Sequence, residues 1–318
     1  MSEFSLTIRN WCSLKDGIQT GNSPALTSDD CAQIDEKIVL AGKKLRNIDT
    51  QTTKVLCCFD AIKRAGNYDP HAAIISATSM GAFDSVCKLL EESYQNALPY
   101  QISPGNIPNT VINSTAGFAA IHYEVDGPNI SLCASELSFY EALTKAFAIG
   151  KRRPANKIFV SAVESWGGLY GRALNEIRQD EHFPVDYYAA LFMLSPAAWN
   201  VVDDIAGDKI LAVTTGRLGA EEDITAKAVD FINSVGIRPE LVHTLNIWAV
   251  SQNNLSSFNR YFPHTSITQL SSSAKVLMSG LGAWQLEHLL TKTAANKYGV
   301  QIAVDDEGFY GLSIIEKL

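Results

Sequence analysis

GPNISLCASEL, residues Gly127 to Leu137, is the stretch on which the reading of this chain turns. Gly-Pro-Asn breaks whatever precedes it, and NISLCAS (129–135) then reads as a strand. Residues 137–149 carry helical apolar spacing, so a strand is expected to run straight into a helix. A side chain at such a junction faces free backbone N–H groups and the positive end of the helix dipole. A thiolate placed there is stabilised and becomes nucleophilic. Two residues compete for the position. Cys133 falls inside the predicted strand, three residues before the helix, and reads as a buried structural cysteine. Glu136 falls on the junction, where a glutamate also complements the dipole with no further role.

Outward from this stretch the pattern alternates. HAAIISATS (71–79) and NKIFVSAVES (156–165) are continuous apolar runs typical of strands buried on both faces. Phe4 to Ile8 alternate as a short strand. Helices are expected over 31–46, 51–65, 81–95 and 111–123, with a proline-rich loop over 99–109. The second half repeats the alternation, with strands over 187–195, 209–215, 241–250 and 300–305 and helices over 222–235, 252–260 and 272–297. The closing GLSIIEKL suits an edge strand. No low-complexity tract separates the halves, which predicts one compact α/β unit, pseudo-duplicated into 1–165 and 166–318.

Composition narrows the function classes. The chain has 318 residues, 46% hydrophobic and 19% charged, as in a well-buried globular protein. No apolar run approaches the ~18–20 residues that span a bilayer. The opening MSEFSLTIRN lacks the basic and apolar regions of a signal peptide, so a soluble cytoplasmic protein without a membrane partner is expected. A net charge of −8 argues against a nucleic-acid partner. The one compact basic cluster, Lys151-Arg152-Arg153, follows a predicted helix, where cations suit the dipole; docking of an acidic carrier protein is the other reading. Cysteines at 12, 31, 57, 58, 87 and 133 form no C-x-x-C pair and no zinc spacing, so no metal site is expected.

NSTAGFAAIHYEVDGPNISLCASELSFYEALTKAFAIGKRRPANKIFVSAVE, residues 113–164, resembles the β-ketoacyl synthases, the condensing enzymes of fatty-acid and polyketide synthesis. Counted forward from Gly127-Pro128-Asn129 or backward from Ala142-Leu143, the family's nucleophilic cysteine falls on Glu136, and Cys133 is three residues early. The family's first histidine, in a His-Gly-Thr motif, falls on Ala249, Val250 and Ser251. The second belongs to a Lys-Ser-x-x-Gly-His motif; SSSAKVLMSGLGAW (271–284) keeps Lys275 and a Gly-Ala pair without it. EGFYGLS (307–313) echoes a C-terminal Gly-Phe-Gly-Gly loop faintly. His71, His122, His182, His243, His264 and His288 have no spacing that rebuilds a Cys-His-His site and read as local hydrogen-bonders.

The missing cysteine removes the acyl-thioester step, since an acyl-glutamate would be a high-energy anhydride. The missing histidines remove anion stabilisation. That combination resembles the chain-length factor, or KSβ subunit, of type II polyketide synthases, whose members pair with an active ketosynthase. There a Gln commonly stands where Glu136 stands here. The resemblance covers 71–165 well and the rest weakly; the chain is shorter than typical members, and 1–70 lacks their glycine-rich landmarks.

The resemblance implies a thiolase-like fold in layers αβαβα, an active ketosynthase (KSα) as heterodimer partner, and an acyl carrier protein whose phosphopantetheine arm carries the chain. It also makes ISATSMGAFDSVCKLLEESY (75–94) an interface helix, with Phe83, Val86 and Leu90 at the end of the polyketide tunnel. Their i, i+3, i+7 spacing lines one helical face, which by periodicity alone reads as an ordinary core stripe. Two rivals stand beside this reading. One is a working acyltransferase or malonyl decarboxylase using Cys133 or Glu136, and the other is a structural module without influence on chain length.

Overall fold

The computed structural model describes residues 4–15, 18–21, 48–66, 68–98, 100–165, 176, 187–198, 207–219, 222–249, 255–270 and 277–318. The helix expected over 31–46 lies outside these residues, as do Lys275, Val250, Ser251 and His182. Among the described residues eleven strands are present: β1 (Phe4–Lys15), β2 (Ile18–Gly21), β3 (Ala73–Ala77), β4 (Asn129–Leu132), β5 (Ile158–Ser165), β6 (Tyr187–Ala198), β7 (Lys209–Arg217), β8 (Val242–Ala249), β9 (Ser266–Leu270), β10 (Lys297–Val304) and β11 (Phe309–Lys317). The α-helices are α1 (Thr50–Arg64), α2 (Phe83–Gln95), α3 (Ser114–Tyr123), α4 (Ser138–Arg152), α5 (Ile224–Ser234), α6 (Leu255–Tyr261) and α7 (Gly280–Lys292).

The strand order is β4-β3-β5-β6-β1-β7-β11-β10-β8-β9, with β2 added to β1. It contains one motif twice. β3 runs parallel to β4 and β5, and β6 runs antiparallel to β5 and β1. Likewise β8 runs parallel to β9 and β10, and β11 runs antiparallel to β10 and β7. The two five-strand sets meet where Leu6 pairs with Ile210 and Thr7 with Lys209. The expected halves, 1–165 and 166–318, divide the chain between β5 and β6, whereas strand order groups β6 with the first set.

Among the described residues three hydrophobic clusters fill the spaces around these sets. One, under α1 and α3, includes Leu56, Ile62, Ala119 and Phe159. The second lies between the two sets, around α4 and α7, with Phe139, Leu143, Leu281 and Leu286. The third, under α5 and α6, includes Ala228, Ile232 and Phe258. The layers are therefore αβαβα, as the resemblance implied. The central helices approach closely because one of them offers a glycine: a Cβ on Gly282 of α7 would lie 2.9 Å from the Tyr140 ring of α4. Tyr140 donates its buried hydroxyl to Gln285 Oε1 of α7 at 2.6 Å.

Local chemistry explains the boundaries. Asp49 caps α1 by accepting from the Thr52 N–H at 2.8 Å, and Gly66, at φ +79°, ends it. The proline-rich loop is in part a 3-10 helix, Pro104–Thr110, which delays the start of α3 to Ser114. The last strand corrects an expectation: β11 lies inside the sheet between β10 and β7, and Tyr310–Ile315 are all buried. Among the described residues no helix is long and apolar enough to cross a membrane.

Candidate functional site

β4 ends at Leu132, three residues sooner than expected, and the chain reaches α4 through an elbow at 133–137. Ser138, fully buried, holds the elbow together. Its Oγ accepts from the Ala134 N–H at 2.8 Å and lies 2.7 Å from the Ser135 carbonyl and 3.2 Å from the Thr78 carbonyl. Ser135, exposed at the crest, has left-handed backbone at φ +48°, a conformation that non-glycine residues seldom adopt. Glu136 follows in a short 3-10 turn, Ser135–Leu137, half-buried. The strained residue is thus one position before the one that the resemblance assigns to the nucleophile.

Cys133 corrects a second expectation. It is an exposed residue beyond the end of β4, not a buried one within it. Among the described strands β4 lies at the sheet edge beside β3 alone, so its last residues lose cover. The Cys133 sulfur packs on the Ser79 carbonyl oxygen, to which its S–H donates. Partial burial, and then the nearby Glu164 charge, push the thiol above its ordinary range. An activated cysteine would need the opposite shift.

The elbow opens on a cavity of about 790 Å³. Ser135, Glu136 and Glu141 line one side, and the second half supplies Arg217, Trp248 and the β10–β11 turn with Asp305, Asp306 and Glu307. The turn is preformed: Asp305 Oδ1 accepts from the Glu307 and Phe309 N–H groups at 3.0 and 2.8 Å, and Gly308 takes φ +81°. The Arg217 guanidinium stacks 5.2 Å over the Phe309 ring and donates to the Glu307 carbonyl at 3.3 Å. Burial, then the charges of Glu136 and Asp306, raise the Asp305 carboxyl above its ordinary range. Among the described lining residues, five carboxylates and one guanidinium surround the space, with no cysteine or histidine.

The histidines lie elsewhere. His71 pairs with Asp126 at 2.7 Å on the surface, and neither lines the cavity. His122 is buried in α3 against Tyr123. His243 contacts Thr244 at 2.9 Å, and His288 sits on α7 beside Trp284, its pKa lowered by burial. Ala249, the one described residue of the His-Gly-Thr position, ends β8.

Phe83, Val86 and Leu90 fall outside the cavity that Glu136 lines. They are not an ordinary core stripe. Among the residues of α2 only Ser85 is buried; Phe83 and Val86 are half-buried and Leu90 is 51% exposed. Nine of the thirteen large hydrophobic side chains exposed among the described residues lie between Met80 and Ile121.

Sequence reasoning missed Arg217, Trp248 and the acidic turn at 305–307, which only the pairing of distant strands brings to the elbow. It also missed Glu164. A carboxylate near the end of an otherwise uncharged strand, IFVSAVES, was the available signal.

No family model and no curated protein matches the chain. Solved structures do match it along its whole length. A chain of the ishigamide ketosynthase/chain length factor is 16% identical at TM-score 0.70, with 99% of each chain covered. A chain of the AntDE:AntF complex, a type II PKS acyl-carrier protein with its ketosynthase, is 11% identical at TM-score 0.73, again with 99% of each covered. A β-ketoacyl synthase from Burkholderia phymatum STM815 is 10% identical at TM-score 0.69, with 100% of each covered. The likeness is one of fold: the chain has the thiolase-like α/β architecture of these proteins.

Proposed function

We propose that this chain is the non-catalytic subunit of a type II polyketide ketosynthase pair. It binds an active ketosynthase through α2 and the surface around it and completes the tunnel. It thereby limits the length of the poly-β-keto chain carried on the phosphopantetheine arm of an acyl carrier protein. The observation that carries this reading is the elbow, which presents Ser135 and Glu136, not a thiol, to a cavity ringed by carboxylates. A condensing site must stabilise an enolate and an oxyanion with directed donors. A ring of carboxylates does the reverse. An anionic malonyl group entering it would meet like charge.

Pairing is supported by the apolar character of Met80 to Ile121. Exposed apolar surface of this kind marks interaction sites in soluble proteins, and Tyr94, 86% exposed, is the type of aromatic that anchors them. The 3-10 helix packs on α2, with Glu92 accepting from the Ser103 N–H at 2.9 Å, so the region forms one ordered surface. The solved ketosynthase/chain length factor structures of the same fold suit this reading better than a stand-alone enzyme. Cys133, with its raised pKa and its contact to Ser79, offers the rival no support.

The test is co-expression with the ketosynthase encoded nearest to this chain, followed by sizing and an assay with malonyl-loaded carrier protein. A 1:1 complex whose activity survives Cys133→Ala and is lost with the partner's cysteine is expected. An active homodimer of this chain that dies with Cys133→Ala would overturn the reading.

A further inference from the structure

Glu164, the penultimate residue of β5, is 1% exposed and does not line the cavity at the elbow. It reaches instead to the root of α2, residues 78–82, on which much of the chain converges. The Thr78 N–H donates to the Leu132 carbonyl at 3.0 Å, and the Thr78 hydroxyl receives Gln51 Nε2 at 3.1 Å and the Gly81 N–H at 3.0 Å. The Ser79 carbonyl receives the Cys133 S–H, and the Ser79 N–H donates to Glu164 Oε1. The same carboxyl oxygen receives the Ser279 hydroxyl at 2.6 Å, from the root of α7. Ser79 Oγ in turn contacts the Met278 sulfur at 3.2 Å. Gly81, at φ +65° with its Cα face against Ile112, is the bend that follows.

We propose that Glu164 is a proton-linked catch on the root of α2, holding that helix in place while neutral and loosening it when ionised. The groups that face the carboxyl among the described residues are Ser79, Ser279 and the Cys133 thiol, none of them cationic. With no cation beside it among the described residues, a charge on this buried carboxyl is strongly disfavoured, so it is best relieved by opening the root to water. Burial accordingly raises the carboxyl from 4.5 to about 7, against the lowering effect of the two serines. Between those values each pH unit favours opening about tenfold, because the open form releases the proton. The catch deepens the role proposed for α2 and rests on it only for its consequence, namely that a partner meets α2 in docking pose more often at low pH.

Hydrogen exchange on the full-length chain, in the form in which it purifies, tests this between pH 5 and 8. The amides of 79–90 are followed against those of β10, after correction for intrinsic rates. Their opening equilibrium should rise about tenfold per pH unit up to about 7 and then level, while Glu164→Gln, which keeps an acceptor oxygen, should be flat. Ser279→Ala removes a donor to the carboxylate and should move the midpoint to higher pH. Wild type and Glu164→Gln tracking each other would overturn the catch. If Glu164→Gln does not fold, an unmoved midpoint in Ser279→Ala overturns it. A pH-linked opening in a chain that fails to pair keeps the catch and removes only the pairing role.

Discussion

Ser135 and Met278 share left-handed backbone, at φ +48° and +44°, at the roots of the two central helices α4 and α7. The duplication therefore extends below strand order to the elbows. Each set of strands delivers its chain through a strained turn into a helix at the centre, and each turn bears a side chain where glycine would be easier. Strain of this kind gathers at functional sites. Here it occurs at an elbow that presents Ser135 and Glu136 to the cavity.

Replacing Ser135 by glycine should therefore stabilise the chain by about 1 kcal/mol, since Ser138, not Ser135, supplies the side-chain bonds of the elbow. Chemical denaturation of the two proteins measures it. A loss of stability would mean that the Ser135 side chain holds the turn.

Close packing of α4 on α7 gives a second expectation. Gly282→Ala would drive a Cβ into Tyr140 and should cost about 1–3 kcal/mol. Gly117→Ala in α3, with nothing within 4 Å of the new atom, should gain roughly 0.5–1 kcal/mol from helix propensity alone. Equal effects at the two sites would contradict the packing described.

Exposure on α2 separates folding from pairing. Leu90→Asp should change the stability of this chain by less than about 0.5 kcal/mol, because Leu90 is 51% exposed, and yet abolish co-purification with the ketosynthase. Phe83→Ala should leave the pair intact and lengthen the product. Unchanged product length in an intact pair would reduce the chain to a stabilising module.

Global stability should carry the signature of Glu164. Its carboxyl titrates near 4.5 when unfolded and about 7 when folded, so the folded state binds the proton more tightly. Stability is present in full below 4.5 and declines as pH rises to about 7, by on the order of 3 kcal/mol. Denaturation at pH 5 and pH 8 should show the decline in wild type and a smaller one in Glu164→Gln.

Iodoacetamide addresses the enzyme alternative. Cys133 is exposed, yet its thiol is held to Ser79 and pushed up in pKa, so at pH 7 it should label more slowly than a free small-molecule thiol. Fast labelling would revive Cys133 as a nucleophile.

How much of this was legible in sequence depended on how local each signal was. Both β3 and β5 announce themselves as apolar runs because they are covered on two faces, and the elbow was readable because strand, turn and helix are contiguous. Cys133 was misplaced since nothing in NISLCAS reveals that β4 lies at the edge of the described sheet. GLSIIEKL was misplaced for the same kind of reason: its interior position is set by Lys209–Arg217, far away in the chain. The acidic wall opposite Glu136 was not legible because Asp305 to Glu307 reach the elbow only through the pairing of β10 with β8 and of β11 with β7.

The central place of β1 governs how the chain is made. Phe4 pairs with Ala198, and β1, made well before that neighbour, completes the first five-strand set and joins it to the second at Leu6–Ile210 and Thr7–Lys209. At ribosomal speeds it waits roughly 10 to 40 s for that neighbour to be synthesised. During this interval β3, β4 and β5 can associate, but the sheet they belong to remains open on the side where β6 and β1 will dock. Unpaired strand edges are where nascent chains aggregate. The slow step of biogenesis is therefore written into the topology, and yield in a heterologous host should respond to chaperones that shelter nascent chains.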